Sequence, residues 1–499
     1  MKDKSWKINR RTMLGATGMV GAGTLFSEGA LAKESHKKHD GRDESCWSGD
    51  SAVEKLLAQA SEKFPGGIVS VYAKEAGPHG EVLASHESEK VVKPASNTKL
   101  LTTALALEHL GPDERFETSV IGDGSKSGTQ FHGDLVIRGN GDVLSQNNLK
   151  TLAGQVADEG IEAVHGDVVA DITAFDTSGY GPVFSVRGPG YPEGWTWEDP
   201  QYSYGAPSST LALYWNKVAI TAKRTDDGID LSVEPNSEFV PVESHLSEAP
   251  AGSDGYFYTY LDRVNGTIYA IGELPPGYEE TDLSPVMRPD EHAAAVFAGF
   301  LEDAGVTVKG GVTLQTEEKD RTAAFRTSIR SEPLHETIGP MLLYSNNVDA
   351  DQLALMTARR ATGVGSFDAW TDLTGAYFES LGAPATVFRD GSGLSQFDLI
   401  SAADMVSMLE WIGRKPWSET LFGSLPTPGH GTLAYRLRDV DVPVQAKTGT
   451  VRGTRSLSGA IRRTGKPDVL FSILMSNVTV GLGDARDYQD DLVRALVDA

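Results

Sequence analysis

The chain has 499 residues, too many for one ordinary hydrophobic core, so two or three domains are expected. Its formal charge of −24, from 69 acidic against 45 basic side chains, argues against nucleic acid or an anionic membrane as a partner. Such a carboxylate-rich composition suits either a high-salt habitat or a merely acidic protein, and the single cysteine, Cys46, precludes an intramolecular disulfide framework.

Residues 1–32 read as an export signal: a basic head (Lys2, Lys4, Lys7, Arg10, Arg11), a short Gly-rich apolar core, and the small-residue cleavage pattern Ala30-Leu31-Ala32. The Arg10-Arg11 pair followed by Thr12-Met13-Leu14 resembles a twin-arginine signal. No other run approaches the length of an integral membrane span. Residues 33–50 read as a polar linker; its His36, His39 and Cys46 match the spacing of no closed metal site. The folded body should begin near Ser51, with a helix over 52–64 and strands over 68–72 and 82–84. A second helix is expected from Ser96, carried by Leu100, Leu101, Ala104, Leu105 and Leu107 and stopped by Gly111-Pro112.

From about residue 117 short strands, such as 134–138 and 167–170, alternate with Gly-rich turns. The turn Arg138-Gly139-Asn140-Gly141-Asp142 lacks the Lys-Ser/Thr ending of a phosphate loop and reads as a tight turn. Residues 180–214 are dense in Gly, Pro, Trp and Tyr, which fits either loop packing or a sugar-binding aromatic surface. A β-rich acidic piece over 231–274, a helix over 293–304 and a strand over 306–314 follow. Beyond residue 327 the pattern is mixed again. Residues 333–344 read as helical, with Gly339-Pro340 expected to kink or divide them. A helix over 351–360, strands over 442–450, 456–461 and 469–475, and a final helix over 485–497 complete the expectation.

Ser96 and Lys99, three apart in a first helical turn, would share one face and place an amine beside a hydroxyl. Burial lowers a lysine pKa, and a neutral amine beside a hydroxyl is a base beside a nucleophile. Alone the pattern is weak: Ser35-His36-Lys37-Lys38 matches it too, and Ser145-Gln146-Asn147 imitates Ser345-Asn346-Asn347. The ordered set is informative. Ser96-x-x-Lys99, Ser345-x-Asn347 and Lys447-Thr448-Gly449 are the three signatures of penicillin-recognising serine acyl-transferases. In that chemistry Ser96 attacks a carbonyl, Lys99 takes its proton, and Ser345 relays it to the leaving amine. Asn347 holds Lys99 and a substrate amide. Lys447 anchors a carboxylate, and the backbone N–H groups of Ser96 and Thr450 are the expected oxyanion donors.

The long stretch between Ser96 and Ser345 closely resembles the penicillin-binding protein 4 (DacB-type) D-alanyl-D-alanine carboxypeptidases, peptidase family S13, which insert β-rich domains between these motifs. Gly133-Asp134-Leu135, Tyr204-Gly205-Ala206-Pro207-Ser208, Asp390-Gly391-Ser392-Gly393-Leu394-Ser395 and Gly431-Thr432-Leu433 extend the resemblance over nearly the whole mature chain. It implies an α/β (α+β) fold: a transpeptidase-like domain over 51–116 and 327–499, with an antiparallel sheet between helices. An inserted domain II would cover 117–220 and 291–326, and a nested domain III would cover 221–290. It also implies cleavage of terminal D-Ala from peptidoglycan stem peptides, often with endopeptidase action, through an acyl-enzyme on Ser96. Thr448 and Thr450 would join Lys447 around the substrate carboxylate, and β-lactam antibiotics would acylate Ser96. Asp351 stands where the family usually has Glu, and Asp390 and Ser392 are either supporting groups of the site or turn formers.

No metal or organic cofactor is expected, because Lys99 and the backbone supply base and electrophile. The expected partner is a D-amino-acid-containing peptide, outside the cytoplasmic membrane. A related serine hydrolase with another substrate (β-lactamase, esterase or D-aminopeptidase) and a non-catalytic scaffold are the alternatives left open by the motifs.

Overall fold

A computed structural model describes residues 51–176, 190–321, 323–479 and 481–499. The expected export signal and linker, with His36, His39, Cys46 and the Ser35–Lys38 look-alike, lie outside the described residues. None of the described helices is long and apolar enough to cross a membrane.

The catalytic motifs are organised by a five-stranded antiparallel sheet. Its spatial order is Val444–Val451, Thr454–Ile461, Val469–Ser476, Ile68–Glu75 and Val82–His86, so the end of the chain pairs with its beginning. The central strands Thr454–Ile461 and Val469–Ser476 are buried along their whole length, as a sheet covered on both faces requires. Side-chain alternation divides the last of them. Leu470 and Leu474 enter a core built from the helices on one face, while Phe471, Ile473 and Met475 pack against Ala52–Ala58 and Leu482–Asp498 on the other.

The helix Thr98–His109 runs through the first core with every residue from Thr98 to Leu107 buried. Such a helix, apolar on nearly all sides, belongs inside a protein rather than on its surface. It is preceded by a 3₁₀ turn, Ala95–Asn97, so Ser96 sits just before the α-helix rather than within it. The helix Leu334–Tyr344 is not divided at Pro340: Glu336, whose carbonyl the proline leaves without an N–H partner, is exposed and can be hydrated. The expected helix over 52–64 is two pieces, Ala52–Ala58 and Ala60–Lys63, and the expected strand over 306–314 is split into Thr307–Val308 and Val312–Gln315 around Gly310-Gly311.

Between the strands Val82–His86 and Val444–Val451 the chain builds a seven-stranded mixed sheet, two three-stranded sheets and a short two-stranded one. The mixed sheet shares a core with the helices Gln146–Asp158 and Pro289–Asp303. The Ser145-Gln146-Asn147 look-alike is the start of the first of these. Ser145 caps it, accepting from Asn148 N while its own N–H donates to Asn148 Oδ1. The two small sheets close over a separate core that includes Val218, Ile220, Phe257 and Leu274.

Candidate active site

The sequence-distant motif residues meet beside the edge strand Val444–Val451. Lys99 is fully buried, and its Nζ lies 3.1 Å from Ser96 Oγ, 2.7 Å from Asn347 Oδ1 and 2.6 Å from the Ser392 carbonyl. Burial drives its pKa down to about 8, a shift that the carboxyls of Asp351, Asp390, Asp349 and Asp398 oppose only to the extent that they are ionised. The geometry determines what the neutral amine does. Asn347 Oδ1 and the Ser392 carbonyl can only accept, so they take both N–H bonds of an uncharged Lys99. The lone pair then faces Ser96 Oγ, ready to receive its proton.

Local backbone constraints hold the nucleophile. Ala95 has φ 48°, and Gly393, at φ +85°, comes so close that a Cβ there would lie 1.9 Å from the Ala95 carbonyl oxygen. Thr98 Oγ1 donates to Asp398 and Thr102 Oγ1 to the Gly391 carbonyl, fastening the helix to the 390–398 loop. Gly449 is required on the opposite side. A Cβ there would lie 2.0 Å from Ser456 Oγ and 3.0 Å from Ser96 N, so only glycine brings this strand against the nucleophile turn.

Ser345 occupies the left-handed region, φ 59° and ψ 40°, at the end of the helix Leu334–Tyr344. Its Oγ accepts from Lys447 Nζ at 2.9 Å, so in the free enzyme it is tied to Lys447 rather than to Lys99. Asn347, two residues on, opens the helix Asn347–Thr362, which Asn346 caps by accepting from Val348 N. Lys447 is fully buried, and burial together with the nearby Lys99 pushes its ammonium well below the ordinary lysine range. Thr448 Oγ1 donates to Thr432 Oγ1 at 2.7 Å, and Thr450 is exposed at the strand edge.

Three buried carboxyls form the floor. Asp390 accepts from Trp195 Nε1, Ser392 Oγ, Gly393 N and Ser395 N, which shapes the loop that presents the Ser392 carbonyl to Lys99. Asp351 accepts from Gly391 N at 2.8 Å, and burial and then Asp390 raise its pKa well above the carboxylate range. Asp398 is raised in the same way, first by burial and then by Asp390. Tyr204 contributes through its main chain, its carbonyl accepting from Asn347 Nδ2 at 2.9 Å. The Tyr204 and Gly431-Thr432-Leu433 segments thus adjoin the site, through a backbone carbonyl and the Thr432 hydroxyl.

Residues 50–498 match the D-Ala-D-Ala carboxypeptidase 3 (S13) family. The chain belongs to this family. It is 34% identical over 409 residues to a D-alanyl-D-alanine carboxypeptidase of Actinomadura sp. (strain R39), covering 77% of this chain and 73% of that protein. It is 24% identical over 453 residues to D-alanyl-D-alanine carboxypeptidase DacB of Haemophilus influenzae, covering 88% and 91%. The fold is that of penicillin binding protein 4 (dacB) from Haemophilus influenzae, with a TM-score of 0.75 at 22% identity over 88% of this chain and 99% of that one.

Proposed function

We propose that this S13 protein is a serine-type D-Ala-D-Ala carboxypeptidase acting through an acyl-enzyme on Ser96. One observation carries the reading: the two fixed acceptors at Lys99 leave a neutral amine with its lone pair toward Ser96 Oγ. Ser96 Oγ attacks the penultimate D-Ala carbonyl as its proton passes to Lys99 Nζ. The oxyanion is taken by the N–H groups of Ser96 and Thr450, a pairing supported by the approach of Gly449 to Ser96 N. Lys447, with Thr448 and Thr450, receives the terminal carboxylate, which would restore the charge that burial discourages. That carboxylate competes for the Lys447 Nζ now engaged by Ser345, freeing the Ser345 hydroxyl to give its proton to the departing D-Ala amine as it takes up the proton held on Lys99. Water then hydrolyses the ester. β-Lactams would acylate the same serine, and DD-endopeptidase action would use the same groups on a cross-linked D-amino-acid peptide.

The proposed division is a catalytic domain over 51–116 and 327–499, an inserted domain II over 117–220 and 291–326, and a nested domain III over 221–290. The separate hydrophobic cores support it. The basic head, apolar core and Ala30-Leu31-Ala32 pattern support twin-arginine export of the folded chain.

The test is labelling by a fluorescent penicillin together with D-Ala release from a diacyl-Lys-D-Ala-D-Ala peptide. Stable, Ser96-dependent labelling with D-Ala release is expected. Rapid penicillin turnover without D-Ala release would indicate a β-lactamase, and inertness toward both compounds would indicate a scaffold.

A further inference from the structure

The strand Tyr256–Leu261 lies at the edge of an outer three-stranded sheet, beside Ile268–Leu274 and then Val242–Glu248. Phe257 and Leu261 point into the small core, whereas Tyr256, Tyr258 and Tyr260 are 47%, 48% and 42% exposed. Residues paired directly across strands share a face. Tyr260 pairs with Tyr269, and Tyr258 pairs with Ile271, which pairs in turn with His245. The rings are arranged in order: Tyr256 and Tyr258 are 6.3 Å apart at 21°, Tyr260 and Tyr269 are 6.5 Å apart at 21°, and His245 meets Tyr269 edge-on at 5.3 Å. The edge of the Tyr256–Leu261 strand is closed by the neighbouring strand Glu279–Pro285, where Asp282 Oδ2 accepts from both Thr259 N and Thr259 Oγ1, so the exposed part is the face. Here a chain with 69 acidic residues leaves Tyr256–Leu261 without a single charge and places tyrosine at every outward position.

The turn that follows the tyrosine strand touches a loop that also contacts the catalytic site. Arg263, in the turn after the tyrosine strand, donates to the Trp197 carbonyl at 3.1 Å and lies 4.8 Å over the Trp197 ring, itself 64% exposed. On either side of Trp197 in the same loop, Trp195 donates to Asp390, and Glu198 pairs with Arg452 at the end of the Lys447 strand. A few residues on, Tyr202 and Tyr204 stack at 5.4 Å and 11°, and the Tyr204 carbonyl holds Asn347. The 195–204 loop, with Trp197, Tyr202 and Tyr204 exposed, therefore joins the turn after the tyrosine strand to the site.

We propose that the tyrosine face is a binding platform for a neutral glycan strand, laid so that peptides attached to it reach Ser96. The proposal rests on the carboxypeptidase reading for its choice of attached peptide. The sign of the charge and the exposed rings together select the occupant. No lysine or arginine stands on the outward positions of the three strands, and Glu243 and Glu273 flank them, so an anionic polymer is repelled. A neutral pyranose chain matches: its C–H faces pack on the rings, and its hydroxyls bond to the tyrosine hydroxyls and the two carboxylates.

The test is affinity electrophoresis and calorimetry of the full chain with an N-acetylglucosamine hexamer, alongside D-Ala release from a short soluble peptide. Tyr256→Ser/Tyr258→Ser/Tyr260→Ser should weaken hexamer binding at least tenfold and leave D-Ala release within twofold. The triple Phe variant, which keeps the ring faces, should still bind; Tyr258→Ser alone serves if the triple Ser variant does not fold. Wild-type protein that ignores the hexamer, or a Ser variant that binds it equally well, overturns the proposal. So does a wild-type dimer that the Ser substitutions convert to monomer, which would make the face a self-association surface. Hexamer binding that falls with the Ser substitutions while wild type releases no D-Ala would leave the platform standing and refute the carboxypeptidase reading.

Discussion

The five-stranded sheet is covered on both faces, whereas the outer sheet buries one face and presents tyrosines on the other. The charges differ even more. Around Ser96 the protein buries two lysines and three aspartates, Lys99, Lys447, Asp351, Asp390 and Asp398, each no more than 1% exposed. The small core beneath Tyr258 is lined by apolar side chains. Burying ionisable groups is costly unless they are paired and hydrogen-bonded, so the catalytic region must be rigid enough to keep every partner in place. The outer sheet is under no such constraint. Damage to the first region should therefore show in the chemistry, and damage to the second in stability or polymer binding.

The largest separation between the two should come from Ser96→Ala. Loss of an activated nucleophile lowers turnover by on the order of 10³–10⁶-fold, and no stable penicillin adduct should form. Lys99→Met should reduce the acylation rate by on the order of 10²–10⁴-fold, the usual worth of a positioned base. Both are checked by time-resolved labelling with a fluorescent penicillin, with Tyr258→Ser as the contrast that should label at the wild-type rate.

The pH dependence of acylation is the next discriminator. Lys99 acts as the uncharged amine, and burial lowers its pKa to about 8. Below that value the amine carries its own proton and cannot take that of Ser96. The rate should rise tenfold per pH unit on the acid side and level off above about pH 8. A rise continuing past pH 10 would mean that Lys99 titrates as an ordinary solvated lysine, and the proposed base would be wrong.

Core truncations sharpen the contrast through stability. Leu474 and Ile220 are both fully buried, one in the core that also holds the nucleophile helix and one in the small core. Replacing either with Ala should cost about 2–5 kcal/mol locally, read by denaturant unfolding. Only Leu474→Ala should also slow acylation, because only its cavity opens in the core that packs the Ser96 helix. Equal slowing by Ile220→Ala would mean that the outer sheets are mechanically coupled to the site.

The site residues were readable because each belongs to a short motif in which residue type and spacing carry the chemistry: Ser96 with Lys99, Ser345 with Asn347, and Lys447 through Thr450. What escaped reading is what those side chains touch through backbone. The Ser392 carbonyl on Lys99 and the Tyr204 carbonyl on Asn347 come from atoms that nearly every residue possesses, so no residue type announces them. The helix Gln146–Asp158 went unread for a different reason. Leu149, Leu152, Ala153 and Val156 recur at helical spacing, but the chain around them is rich in Gly turns and short strands, and Ser145-Gln146-Asn147 imitated a catalytic motif. The tyrosine face needed strand register: alternation in 256–260 is visible in the sequence, but its alignment with Tyr269 and His245 is set by pairing across chain segments.

The smallest effect expected is that of Asp351→Asn. Asp351 Oδ1 accepts from Gly391 N, and burial beside Asp390 favours the protonated carboxyl. A protonated carboxyl and a carboxamide present the same pair, one acceptor and one donor, in nearly the same shape. Asn should therefore preserve the 390–393 loop and the Ser392 carbonyl on Lys99, shifting the acid limb of the acylation profile by less than about half a unit, under 1 kcal/mol of interaction. Asp351→Leu removes the acceptor, orphans a buried N–H and should loosen that carbonyl, so its acylation rate should fall well below that of the Asn variant. Were Asp351 ionised instead, its charge would be one of those raising the Lys99 pKa, and Asn would move the limb toward lower pH by a unit or more. The direction and size of that single shift therefore report which proton the floor of the site carries.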